Sequence, residues 1–141
     1  MAASQHFKEL LLSFQEYEVE FLIVGGYAVM KYSEPHYTKD LDIWVAATPE
    51  NSARVFQALA RFGTPLQLGV APVRVDILTR ISGVRFAEAW QNRAVDQAFG
   101  ISVNFISLDD LIANKRASGR ADDRRHLEAL RKEQRNRSDA H

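Results

Sequence analysis

The stretch VGGYAVMKYSEPHYTKDLDIWV (24–45) limits the fold more than any other part of the chain. The apolar run FLIV (21–24) is short and closes on Gly25-Gly26, so it reads as a buried strand ending in a glycine turn. A helix can start directly from that turn and run from Gly26 to about Tyr32. Fourteen residues after the second glycine, DLDIWV (40–45) alternates, with Asp40, Asp42 and Trp44 on one face and Leu41, Ile43 and Val45 on the other. Two like charges therefore stand side by side on one strand, ~7 Å apart between Cα atoms. Their repulsion calls for a counter-charge.

The rest of the chain supplies partners for these two strands. Residues 4–17 carry Phe7, Leu10, Leu11, Phe14 and Tyr17 at helical spacing, an amphipathic helix. Thr48-Pro49 is an N-cap and first helical residue, and Ala53, Phe56, Leu59 and Ala60 predict an apolar stripe on a helix that Gly63 ends. VRVDIL (73–78) alternates again, with Arg74, Asp76 and Leu78 on one face. Residues 95–106 read as two short strands joined at Gly100. Ser107, with Asp110 in capping-box position, opens a helix to about Arg116. Gly119 breaks the chain, a last helix runs from about Arg120 to Glu133, and residues 135–141 are expected to be disordered. The elements alternate without strict βαβ regularity, which predicts an α/β (α+β) fold: a mixed central sheet flanked by helices. The whole chain, 1–141, reads as one domain with its core in 21–106 and a C-terminal helical pair in 107–134.

Composition narrows the class. At 141 residues and 46% hydrophobic, the chain can bury one core. No apolar run approaches the ~20 residues of a membrane span, no export signal is visible, and a cytoplasmic location is expected. The absence of cysteine excludes disulfides and thiolate metal sites. Net charge is zero, yet residues 115–137 hold nine of the eighteen Lys and Arg against four acids. That asymmetry fits either a solvated helix laced with ion pairs or an anionic partner.

The acids carry the chemistry. Asp40 and Asp42 can reach one divalent cation or two adjacent ones, and hard oxygen ligands select Mg²⁺ or Mn²⁺ over zinc. Gly25 and Gly26 leave backbone N–H groups uncovered at a helix start, which suits a phosphate. Asp76, from another strand, would complete a two-metal site for phosphoryl or nucleotidyl transfer. No P-loop motif is present. Further on, Lys115 continues the stripe of Leu108, Leu111 and Ile112, and Asp123 lies on the face of Leu127 and Leu130. An inward Lys115 needs a partner, either Asp123 or a triphosphate. Tyr27 and Trp44 flank the proposed site as base-stacking or core aromatics, the core being the better reading for Trp44.

A strand ending in GG, then TKDLDIWV, then VRVDIL resembles the minimal nucleotidyltransferases of the DNA polymerase beta superfamily. GGYAV, TKDLDIWV, RVDILTRISGVRF and FISLDDLIANKRASGR are similar to a bacterial branch of that superfamily, the abortive-infection toxin nucleotidyltransferases of toxin–antitoxin pairs. The likeness spans residues 21 to about 130. It implies that Asp40, Asp42 and Asp76 are metal ligands, with Asp76 ligand or base for the acceptor hydroxyl. Gly25, Gly26, Thr38, Lys115 and Arg120 would contact the nucleotide, and Asp123 would shape the active site. The chain departs from the branch at His36, where arginine is usual, at Asp122, where lysine is common, and at His126, where aspartate is. The implied activity is Mg²⁺-dependent transfer of a nucleoside monophosphate from an NTP to an acceptor hydroxyl on RNA (tRNA included), protein or a small molecule, with an antitoxin protein as a further partner. The other reading is a non-catalytic nucleotide-binding or partner-binding module on the same fold.

Overall fold

The structure, a computed structural model, describes residues 2–33, 40–61 and 74–140. Among the described residues eleven elements follow one another: α1 (Ala2–Glu16), β1 (Phe21–Val24), α2 (Gly25–Tyr32), β2 (Asp40–Val45), α3 (Pro49–Ala60), β3 (Arg74–Leu78), α4 (Phe86–Gln91), β4 (Ala94–Ala98), β5 (Ile101–Phe105), α5 (Leu108–Ser118) and α6 (Ala121–Asp139). The strands form one mixed sheet in the order β3-β2-β1-β5-β4. β1 pairs antiparallel with β2 and parallel with β5, while β2 and β3 run parallel and β4 and β5 antiparallel. The architecture is the expected mixed α+β sheet flanked by helices, and α5 and α6 pack together as the C-terminal pair.

Burial explains the order. All four residues of β1 are buried, which is why a strand with no polar face sits at the centre of the sheet. Phe7, Leu10, Leu11 and Phe14 of α1 are buried, and α1 packs against α3 through a Ser13 hydroxyl that donates to Ala58 O at 3.0 Å. The β4–β5 turn puts Phe99 and Gly100 at φ 56° and 82°, the doubly left-handed turn that matches strand twist. Ser107 caps α5 by accepting from the Asp110 N–H at 3.1 Å, and Gly119 closes it at φ 67°. The Tyr32 hydroxyl donates to Ile106 O at 2.7 Å, tying α2 to the end of β5, and burial pushes its pKa up to about 12.

Three sequence expectations need correction. On α3 the buried residues are Asn51, Val55 and Ala58, while Phe56 is 75% exposed. The turn is rotated because Asn51 anchors it: its side chain accepts from Glu20 N–H and donates to Glu20 O and Ala46 O. A polar residue thus faces inward where the apolar count favoured Phe56. The last helix continues past Glu133 to Asp139, so residues 135–139 are helical rather than disordered, with Arg137 paired to Glu133 at 3.1 Å. Finally, α4 has no counterpart in the sequence reading, its six residues being too few for a periodic signal. The expected helix stop at Gly63 lies outside the described residues. Among the described residues, no helix is long and apolar enough to cross a membrane.

Candidate active site

β2 and β3 align Asp40 with Arg74 and Asp42 with Asp76. Alternate residues of a strand share a face, so these four side chains form a two-by-two array of three carboxylates and one guanidinium. Arg74 Nη2 lies 3.3 Å from Asp40 Oδ2, and Arg74 Nε lies 3.2 Å from Asp76 Oδ1. The register sets Asp42 directly opposite Asp76. Burial raises the Asp42 pKa to about 6, helped by the Asp76 charge and hydrogen bond and by Asp40, while Lys115 pulls it down.

The start of α2 closes on this array. Gly25 has φ 68°, and a Cβ built on it would overlap the Asp42 carboxylate. Only glycine combines that backbone with so close an approach. Val24 at the N-cap of α2 makes no side-chain cap bond, and the close approach of Gly25 to the Asp42 carboxylate sets the positive end of the helix beside it.

Opposite stands a buried cation. Lys115 Nζ lies 2.9 Å from Asp123 Oδ1, with the two side chains 11% and 6% exposed. Asp123 also accepts from the Ser118 hydroxyl and pairs with Arg120 Nε at 3.4 Å. Burial alone would raise the Asp123 carboxyl, but the Ser118 hydrogen bond, Lys115 and Arg120 outweigh it and hold the pKa below its ordinary value. One buried carboxylate thereby fixes Lys115, Ser118 and Arg120 at the junction of α5 and α6.

Between the two sides lies a cleft of about 520 Å³, lined by Val24, Gly25 and Asp42 on one side, by Lys115, Ser118 and Arg120 on the other, and by Leu78, Arg80, Ile81, Ser82 and Asn114 along its wall. That wall is a tight turn: Ile81 bridges Val84, Gly83 has φ 77° against Ala113 and Ala117, and the Asn114 amide donates to Ser82 O at 2.9 Å.

The donor set suits a hard divalent cation, because Asp42 and Asp76 stand opposite each other and offer carboxylate oxygens. Asp40 is turned to Arg74 instead. Among the described residues no three His, Cys, Asp or Glu side chains are gathered so as to hold a metal. Tyr27 and Trp44 are core aromatics, Tyr27 edge-on to Phe7 and Phe99 and Trp44 edge-on to Phe86. Gly26 is the second residue of α2. His126 lies half-buried on α6, and His36 and Thr38 lie outside the described residues.

Residues 1–133 match the family described as "Nucleotidyltransferase of unknown function (DUF6036)". The chain belongs to this nucleotidyltransferase family. No curated protein matches it.

Within this nucleotidyltransferase the sequence reading overlooked Arg80, Ser82, Asn114 and Ser118, all of which line the cleft. Signals for two of them were present. Arg80 continues the alternation of Asp76 and Leu78, and Ser118 lies three residues beyond Lys115 on α5. The role of Arg74 as counter-ion had no sequence signal, because it depends on which strand pairs with which.

Proposed function

We propose that the protein moves a nucleoside monophosphate from an NTP to an acceptor hydroxyl, as a minimal enzyme similar to the DNA polymerase beta superfamily. The observation that carries the reading is the cleft itself: Asp42, with Asp76 opposite it on the neighbouring strand, and the glycine start of α2 on one side, the buried Lys115 and the exposed Arg120 on the other. In the reaction the acceptor oxygen bonds to the α-phosphorus, the α–β bridging P–O bond breaks, and pyrophosphate leaves. Asp76 receives the hydroxyl proton. The α2 N–H groups and Lys115 meet the phosphate charge, and Asp123 keeps Lys115, Ser118 and Arg120 in position as that charge shifts. Mg²⁺ or Mn²⁺, held by Asp42 and Asp76 with Asp40, would supply neutralisation of the transferring phosphoryl group. Acceptors are RNA, including tRNA, a protein or a small molecule. The abortive-infection likeness extends the proposal to a toxin with an antitoxin protein as partner.

The test is incubation with each labelled NTP, Mg²⁺ or Mn²⁺ and total RNA or lysate, for wild type and Asp76→Asn. Transfer of label by wild type, reduced at least ~100-fold in a folded Asp76→Asn protein, is expected. An Asp76→Asn protein that transfers at the wild-type rate refutes the role of that carboxylate.

A further inference from the structure

Arg74 stands out on the carboxylate face. Its side chain is 63% exposed, yet the guanidinium is engaged at both ends, Nη2 with Asp40 and Nε with Asp76. It comes from β3, directly opposite Asp40, so the parallel register that brings Asp76 to Asp42 also brings this cation into the array. Without it, three carboxylates would share one patch of sheet with no neighbour of opposite sign on either strand.

A guanidinium here performs the charge neutralisation that a divalent ion would perform, and on the same oxygens. The two compete. Asp40 Oδ2 and Asp76 Oδ1 would have to exchange one cation for the other, and two cations this close repel. We infer that Arg74 is a built-in counter-cation of the site, which holds Asp40 and Asp76 in the metal-free protein and which a divalent ion must displace to gain those two ligands. The inference rests on the metal-dependent reading proposed above.

Two consequences follow from the geometry. Asp42 has no contact with the guanidinium among the distances above and is half-buried beside Asp76, so it is the ligand a cation meets first. The exchange is also inexpensive, because an exposed arginine regains water when it leaves and exposed ion pairs are weak. Metal bound to a nucleotide brings phosphate oxygens as further ligands, so metal–nucleotide displaces Arg74 more readily than metal alone. Cation binding then depends on nucleotide.

Mn²⁺ alone, titrated calorimetrically into the full chain without nucleotide, tests this. Two exposed ion pairs of ordinary strength correspond to a ~2- to 30-fold change in affinity. Arg74→Gln should bind Mn²⁺ more tightly than wild type by roughly tenfold within that range. Arg74→Lys, which keeps the charge but cannot span both carboxylates, should gain a few-fold, and it carries the test if the Gln variant does not fold. Melting curves in chelator report folding separately. Equal Mn²⁺ affinity in wild type and both variants, with binding lost in Asp42→Asn, overturns the competition while leaving the metal site in force. Mn²⁺ binding by none of these proteins overturns both.

Discussion

Replacing Asp42 by Asn should stabilise the metal-free protein, and the size of the effect follows from the site. The Asp42 pKa is about 6 in the folded chain against an ordinary 3.8, chiefly through burial and the adjacent Asp76. A folded-state pKa above the unfolded one means that the protonated form favours folding. The contribution is therefore present in full below about pH 3.8 and is lost as pH rises through about 6. A difference of roughly two units corresponds to ~3 kcal/mol at full value, and the half-open position of the carboxyl reduces this to ~1 kcal/mol through solvent screening. Asn carries no charge at any pH, so Asp42→Asn should be more stable by ~1 kcal/mol above about pH 7, a rise in Tm of ~3 to 4 °C for a chain of this length. The gain should have mostly closed near pH 4. Thermal and urea melts in chelator at about pH 4, 6 and 7.5 measure it. An Asn variant that melts at or below wild type at pH 7.5 would show that Asp42 is structurally required, and the like-charge account of this face would be wrong.

Further outcomes are expected at Gly25, Lys115 and Asp123. Gly25→Ala should destabilise by ~2 kcal/mol or more, since it combines a left-handed backbone with overlap of the Asp42 carboxylate; Gly25→Ala with Asp42→Ala should recover part of the loss in the same melt, and no recovery would rule out the contact. Lys115→Ala should cost ~1 to 3 kcal/mol, less than a fully orphaned buried charge, because Asp123 keeps Ser118 and Arg120. Its NTP affinity, read by calorimetry, should fall more than tenfold; a variant that loses stability but binds NTP normally would make Lys115 an ion-pair residue only. Asp123 is held below its ordinary pKa of 3.8, so its stabilisation is present above that value and lost as pH falls below it. The acid limb of the melting curve should accordingly be shallower in Lys115→Ala.

Local chemistry and periodicity made much of this protein legible in advance. FLIV read as a buried strand, DLDIWV as a strand with Asp40 and Asp42 on one face, Ser107 and Gly119 as the bounds of a helix, and Lys115 as turned inward with Leu111 and Ile112, and the structure has each of them. Each follows from residues a few positions apart, where backbone geometry fixes which side chains share a face. Inward apolar counts failed where a polar residue was the anchor, as at Asn51 of α3, whose partners Glu20 and Ala46 belong to other elements. The site itself was decided one level higher. Asp76 meets Asp42, and Arg74 meets Asp40, only because β3 pairs with β2 in parallel and in that register, and a shift of one residue would turn both away. That Lys115 meets Asp123 was likewise set by the packing of α5 on α6. Pairing and packing join residues far apart in the chain, and no spacing in the sequence records the energy of bringing them together.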